Sequence, residues 1–190
     1  MSPNPLLEPP APGPGRPLTV VRPITDPALL RSVAGRFPTG VIVITTTTST
    51  GPAGFTCRAF TSLSLDPPLI SFNVSRFSDT WPLVREAGMF CVNVLAADQQ
   101  DIARAFARRH PDRFADIPCS CVLGNGTPRL SGATAWLEAT VEDTCAGGDH
   151  LIVIGRVTAA IAGEREEALL FHPGAYGPTG SEAEGLRRVG

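Results

Sequence analysis

The sequence predicts a mainly β domain, a barrel or sandwich with a few short helices. Three observations carry that expectation. Segments 69–74, 89–95 and 135–142 alternate apolar and polar residues with period two, as half-buried strands do. Segment 41–48 is β-branched almost throughout and 151–161 is nearly uninterrupted in its apolar character, which suits a pleated sheet better than a helix. No long βαβ alternation and no GxGxxG occurs, so a dinucleotide-binding doubly wound fold is not expected.

The elements follow in order. Seven of the first 17 residues are proline, so 1–24 is expected to be a mobile tail biased toward polyproline II, or a segment draped over a neighbouring subunit. The folded domain is expected over 25–178, and the polar stretch 179–190 is expected to fray. Asp26 is a natural N-cap and Pro27 fits a first helical turn; Leu29, Leu30, Val33, Ala34 and Phe37 then form one apolar stripe, which Pro38 and Gly40 end. Along 69–74, Ile70, Phe72 and Val74 share a face opposite Ser71 and Asn73. Along 89–95, Phe90, Val92 and Val94 oppose Cys91 and Asn93. Ala135, Leu137, Ala139 and Val141 alternate with Trp136, Glu138, Thr140 and Glu142. Two short helices interrupt the strands. One covers 81–87, capped by Asp79 or Thr80 and stopped by Gly88. The other covers 99–109, with Asp98 as N-cap and Ile102, Ala105, Phe106 and Arg109 on one face.

Composition removes several function classes. With 190 residues, 43% of them apolar, the chain can build one sizeable core. A formal charge of −2 gives no basic field for nucleic acid. Every basic residue is arginine, so there is no Schiff-base amine and no P-loop lysine. Cys57, Cys91, Cys119, Cys121 and Cys145 make no CxxC pair, and Cys119 and Cys121 lack a second pair at zinc spacing. No metal is expected, and the thiols read as reduced, in a cytoplasmic setting. No secretory signal and no run near the ~18 apolar residues of a membrane span is visible.

Segment 54–68, GFTCRAFTSLSLDPP, carries the chemistry. Thr56, Cys57, Thr61, Ser62 and Ser64 fall within eleven positions, interrupted by one charge, Arg58. Closely spaced hydroxyls and main-chain N–H groups suit a neutral, hydrogen-bonding ligand. Ser75, Ser78 and Thr80 stand before the helix at 81, where Arg76 adds a cation and Asp79 an anion; unpaired N–H groups there suit a phosphate. Gly147-Gly-Asp-His150 lets the backbone turn tightly and sets His150 at the mouth of an apolar strand, with Asp149 able to orient it or to cap the turn. Phe106 is either a stacking ring or core. His110 and His172 read as structural.

Taken in order, Arg36-Phe-Pro-Thr-Gly-Val-Ile-Val-Ile-Thr45, the 54–68 segment, Leu69-Ile-Ser-Phe-Asn-Val-Ser75, Ser78-Asp-Thr-Trp81, Phe90-Cys-Val-Asn-Val-Leu95 and Gly148-Asp-His150 resemble the flavin reductase family. Its members are small reductase components of two-component flavin monooxygenases. The resemblance runs from about residue 29 to about 176. It implies an FMN-binding split β-barrel of Greek-key type. It also implies FMN or FAD held by Thr39 and Gly40, by Thr56, Cys57, Arg58 and Ala59, and by Ser62, Leu63 and Ser64. Asn73, Val74 and Ser75, then Ser78 and Thr80, complete the flavin set with Phe106 and Tyr176. Gly148, Asp149 and His150 match the family's pyridine-nucleotide site, with His150 as the catalytic-site residue. Cys57 and Arg58 are departures, since many relatives carry small or amide side chains there; with no histidine beside it in sequence, Cys57 reads as a polarizable contact rather than a nucleophile.

The activity so implied is hydride transfer from NADH or NADPH to flavin N5, which supplies reduced flavin to a separate monooxygenase. A two-fold dimer is expected to cover the sheet edges. Two other readings stay open: a pyridoxamine-phosphate-oxidase-like enzyme, for which no basic cluster with histidine is visible near the C-terminus, and a non-catalytic flavin-binding protein.

Overall fold

A computed structural model describes residues 26–108, 113–120, 126–172 and 175–178. The two expected tails, Arg109, His110 and Cys121 lie outside the described residues. The chain divides into two compact units, Met1–Ala34 and Gly35–Gly190. In the first, α1 (Pro27–Ala34) starts where expected, with Ala28 N–H donating to Asp26 Oδ1 at 2.8 Å. It ends before Phe37, so the expected stripe is cut short, and none of its residues is buried.

The second unit is built on antiparallel strands. Strands β1 (Thr39–Gly40), β2 (Ile42–Thr48), β3 (Gly51–Cys57), β4 (Phe60–Leu65) and β5 (Pro68–Ser75) precede helix α2 (Trp81–Ala87). Strand β6 (Met89–Val94), helix α3 (Gln100–Ala107) and the two-residue strands β7 (Cys119–Ser120) and β8 (Arg129–Leu130) follow. The long β9 (Ala135–Gly147) and β10 (His150–Ala162) lead to β11 (Leu169–His172) and β12 (Ala175–Pro178). Seven strands form one sheet in the order β3-β2-β6-β9-β10-β5-β4, and β1-β11-β12 form a smaller one.

The order forces the large sheet to curl. Its two edges, β3 and β4, are consecutive in sequence and joined only by Arg58 and Ala59. Three Cα steps reach about 11 Å, whereas seven flat strands span about 29 Å. The edges must therefore approach each other, and Asn73 N–H fastens the joint by donating to Ala59 O at 2.9 Å.

Curling gives the sheet an inside. Ile42, Ile44, Ile70, Phe72, Phe90 and Val92 are buried there, with Trp81 and Val84 of α2 against them. Phe72 packs edge-on to Trp81 and Phe90, with ring centroids 6.2 and 5.4 Å apart. The outer face of β2 is covered as well, since Val41 and Val43 join Leu95, Ala103, Phe106, Leu130 and Leu169 in a second cluster. A strand buried on both faces needs β-branched residues at successive positions, and 41–44 supplies them.

The Cys91/Asn93 face of β6 is fully buried as well. It is satisfied internally: Asn93 Nδ2 donates to Val43 O and to Thr45 Oγ1, both at 3.0 Å, and Asn93 Oδ1 accepts Leu130 N–H at 2.7 Å. Glu138 is buried too, paired with Arg129. Helix α3 has Gln99, not Asp98, at its N-cap and buries Ala103 with Phe106 rather than Ala105. The cause is local: Gln99 spans Ala96 N–H (3.0 Å) and Ser131 O (2.8 Å), while Asp98 turns out to pair with Arg165. Helix α2 covers the expected residues. Its first N–H, that of Trp81, is taken by Ser78 Oγ at 3.2 Å, and Gly88 closes it at φ 68°.

Candidate functional site

A cavity of about 690 Å³ opens where the ends of β3 and β5, the start of α2, the end of α3 and strand β11 meet. That volume falls within the range that holds cofactor-sized ligands. Its apolar walls are Phe55, Val74, Phe106 and Phe171, its charged members are Arg58, Asp79 and Arg113, and His150 adds an imidazole.

The joint between β3 and β4 supplies one side. Thr56, Cys57, Arg58 and Ala59 line it together with Asn73 opposite. The Thr56 proton is already given to Ala103 O at 2.7 Å, so its oxygen is left as an acceptor. Cys57 is buried, with Sγ 3.5 Å from Asn73 O and 3.7 Å from Ala59 O. Burial is the main cause that pushes its thiol up to about 11 from the usual 9.0, which removes thiolate chemistry near neutrality. Arg58 is exposed, and its guanidinium carbon lies 4.0 Å from the centroid of the Phe171 ring.

The opposite side is a hydroxyl cluster. Ser75 Oγ accepts Phe77 N–H at 3.2 Å, Ser78 Oγ accepts Trp81 N–H at 3.2 Å, and Thr80 Oγ1 accepts an Arg113 N–H at 2.8 Å. A hydroxyl that accepts from the protein still has its own proton to give. Arg113 also donates to Gly54 O at 2.6 Å, so one guanidinium ties β3 to the residue before α2. Three hydroxyl donors near a fixed cation suit an anionic oxygen group.

His150 completes the rim. It opens β10, faces Ser75 across the β10–β5 register and holds its Nδ1 2.7 Å from Asp149 Oδ1. Of the two roles open to Asp149, this contact orients the imidazole, with Nε2 on the other side of the ring from that carboxylate. Gly148 makes the hairpin possible at φ 70°, and Asp149 O accepts Arg76 N–H at 3.0 Å.

Several expected residues stand elsewhere. Thr39 and Gly40 pair with β11 and do not line the cavity. Ser62, Leu63 and Ser64 lie on the sheet-edge strand β4, where the register against β5 shifts between Ser62 and Ser64. Gly148 and Asp149 form the loop and reach the cavity only through His150. Tyr176 pairs with Phe171 in the backbone ladder, and its side chain lies outside the described residues. Phe106 is both core and wall, edge-on to Phe114 at 4.9 Å. Sequence reasoning missed Phe55, Ala107, Arg113 and Phe171. Phe55 stood in the right segment but reads as core; Arg113 and Phe171 follow no periodicity that points at a site. His172, expected to be structural, holds Nε2 3.2 Å from Arg36 O.

A curled antiparallel sheet whose cavity joins aromatic walls, hydrogen-bonding main chain and a hydroxyl–arginine cluster defines a binder of a flat aromatic ligand with an anionic tail. Residues 34–180 match the flavin reductase like domain, and the chain belongs to that family. It is 41% identical over 159 residues to the reductase subunit HsaB of a flavin-dependent monooxygenase from Rhodococcus jostii, covering 84% of this chain and 80% of that one. It is 40% identical to an NADH:FMN oxidoreductase of Rhodococcus qingshengii, over 77% of this chain and 78% of the other. Among solved structures, the Streptomyces globisporus NADH:FAD oxidoreductase SgcE6, in complex with NAD and FAD fragments, superposes with a TM-score of 0.80. It shares 36% identity and covers 88% of this chain and all of that one. Among the described residues, no helix is long and apolar enough to cross a membrane and no cluster of metal-ligating side chains occurs.

Proposed function

We propose that this protein is an NAD(P)H:flavin oxidoreductase that reduces FMN or FAD and supplies reduced flavin to a separate monooxygenase in the cytoplasm. The observation that carries the site assignment is the pairing of unspent Ser75, Ser78 and Thr80 hydroxyl protons and Arg113 with an aromatic cavity. A flavin has the matching parts, a flat ring with a polar edge and an anionic tail. The main chain of 56–59 with Asn73 would meet the ring's edge, and Phe55, Val74, Phe106 and Phe171 its apolar surface. Ser75, Ser78, Thr80 and Arg113 would hold the phosphate. His150, oriented by Asp149, would take the nicotinamide carboxamide at the rim.

When bound, flavin supplies the hydride-accepting nitrogen. The protein's part is to hold nicotinamide against the ring and to keep water out. No side-chain base is required, and the thiol nearest the cavity stays protonated. The curled seven-stranded sheet is read as the family's split barrel. Its β4 edge carries Leu63 and Leu65 at 49% and 90% exposure, with Phe77 beyond β5 at 75%. That apolar edge is read as the seam of a two-fold dimer, in which Ser62 and Ser64 of one copy stand near the cavity of the other.

NADH oxidation assayed with and without added flavin tests the reading. Turnover that requires flavin supports it. Oxidation of pyridoxine phosphate would favour an oxidase instead, and a yellow but inert protein would leave a binding role only. His150→Ala is expected to raise KM for the nicotinamide nucleotide several-fold more than KM for flavin; an unchanged nucleotide KM would remove the assignment.

A further inference from the structure

The cavity holds two arginines with different employment. Arg113 is tied by N–H donation to Gly54 O and Thr80 Oγ1, beside the hydroxyl cluster. Arg58 comes from the β3–β4 joint and rests on the Phe171 ring of the smaller sheet, 4.0 Å from its centroid. Among the described residues no carboxylate pairs with Arg58. It is a cation at the ring-edge side of the site whose charge is held by an aromatic face and not cancelled by an anion.

We propose that Arg58 makes the site selective for redox state, holding reduced flavin more tightly than oxidised flavin. The proposal rests on the flavin reductase reading. In the reaction a C4–H bond of the dihydronicotinamide breaks and an N5–H bond forms on flavin. Two electrons and one hydrogen move together, and the nicotinamide departs as the cation. Charge balance leaves one negative charge on the flavin ring, shared by its N1 and C2 carbonyl. Oxidised flavin has no such charge, so a guanidinium lining the ring side of the cavity would attract the product of the reaction and little of its substrate. The anionic tail cannot be what Arg58 serves, because Ser75, Ser78, Thr80 and Arg113 gather on another element. The selectivity suits a carrier that must keep reduced flavin until the oxygenase takes it.

The test is equilibrium binding, not turnover. Wild-type protein, Arg58→Gln and Arg58→Lys are titrated with FMN and with riboflavin, oxidised in air and reduced under anaerobic dithionite, and binding is read by flavin fluorescence and absorbance. Arg58→Gln is expected to weaken reduced flavin about fivefold more than oxidised flavin, a size set by the exposure of the guanidinium. Arg58→Lys, which keeps the charge, recovers part of the difference. Riboflavin shows the same ratio as FMN, because no phosphate is involved. Equal weakening of both redox states, a loss confined to FMN, or no change in either state overturns the proposal while leaving the reductase reading intact. A wild-type protein that binds no flavin in either state overturns both. Because Arg58 is exposed, unchanged circular dichroism confirms that the variants are folded.

Discussion

The thiol of Cys57 shows how position decides what a residue can do. It borders the cavity, yet burial holds it protonated, with an upward shift to about 11. Cys91 behaves alike: burial first, then the Glu138 carboxylate, pushes it up to about 12. The folded state keeps these protons while the unfolded chain, with its ordinary value near 9.0, gives them up. The stability tied to them is therefore fully present below pH 9 and is lost as pH climbs through 11 and 12. Each thiol steepens the fall by about 1.4 kcal/mol per pH unit within that window. Urea unfolding at pH 8 and pH 10.5 should show wild-type protein losing about 2 kcal/mol per thiol more than a Cys57→Ala, Cys91→Ala variant. Equal losses would mean that the two sulfurs are not shielded as drawn. The same shielding predicts that iodoacetamide leaves Cys57 unmodified at neutral pH.

Among the elements, β3 and α3 are matched through a glycine. A Cβ on Gly54 would come 2.7 Å from Ile44 O and 2.9 Å from Phe106 Cε1, so only a bare Cα lets the Phe106 ring lie against the strand. Gly54→Ala must push Phe106 and α3 outward, at a cost of about 1–3 kcal/mol, and flavin affinity should fall with the melting temperature because Phe106 is also a cavity wall. A variant with wild-type stability and flavin affinity would show that this packing does not shape the site. Gly54 also illustrates what the sequence could and could not disclose. Period two exposed β5, β6 and β9, an almost unbroken apolar run exposed β10, and the Gly88 stop bounded α2, because each signal lies within one element. The cavity's Thr56–Ala59 side and its Ser75–Thr80 cluster were legible as dense hydroxyl runs for the same reason. Arg113 and Phe171 were not, since each reaches the cavity through pairing that is distant in sequence. Ser62 and Leu63 were drawn into the expected set by their neighbours; the strand order, which no local pattern announces, leaves them on the sheet edge. The partners that bury Asn93, Thr45 and Leu130, were not legible either, since both are distant from it in sequence.

At the scale of the whole molecule, the curl of the large sheet brings its two edges together at Arg58-Ala59 but, among the described residues, leaves β4 without a second neighbour. An edge strand with free backbone groups and projecting leucines is normally covered; among the described residues nothing pairs with the outer side of β4, and Leu65 is 90% exposed. A second copy related by a two-fold axis would bury Leu63, Leu65 and Phe77 against their own counterparts, and would bring the Ser62 and Ser64 hydroxyls near the neighbouring cavity. Sedimentation should therefore give twice the 20.0 kDa mass of the chain. Leu65→Asp places two carboxylates at the seam, where like charges repel and their desolvation is uncompensated, and should shift the protein toward monomer at micromolar concentration. If the edge completes the site, flavin affinity falls in step with the loss of dimer and recovers as protein concentration is raised. A monomeric Leu65→Asp variant that binds flavin as the wild type does would confine the site to one chain, and a wild type that sediments as a monomer would remove the seam altogether.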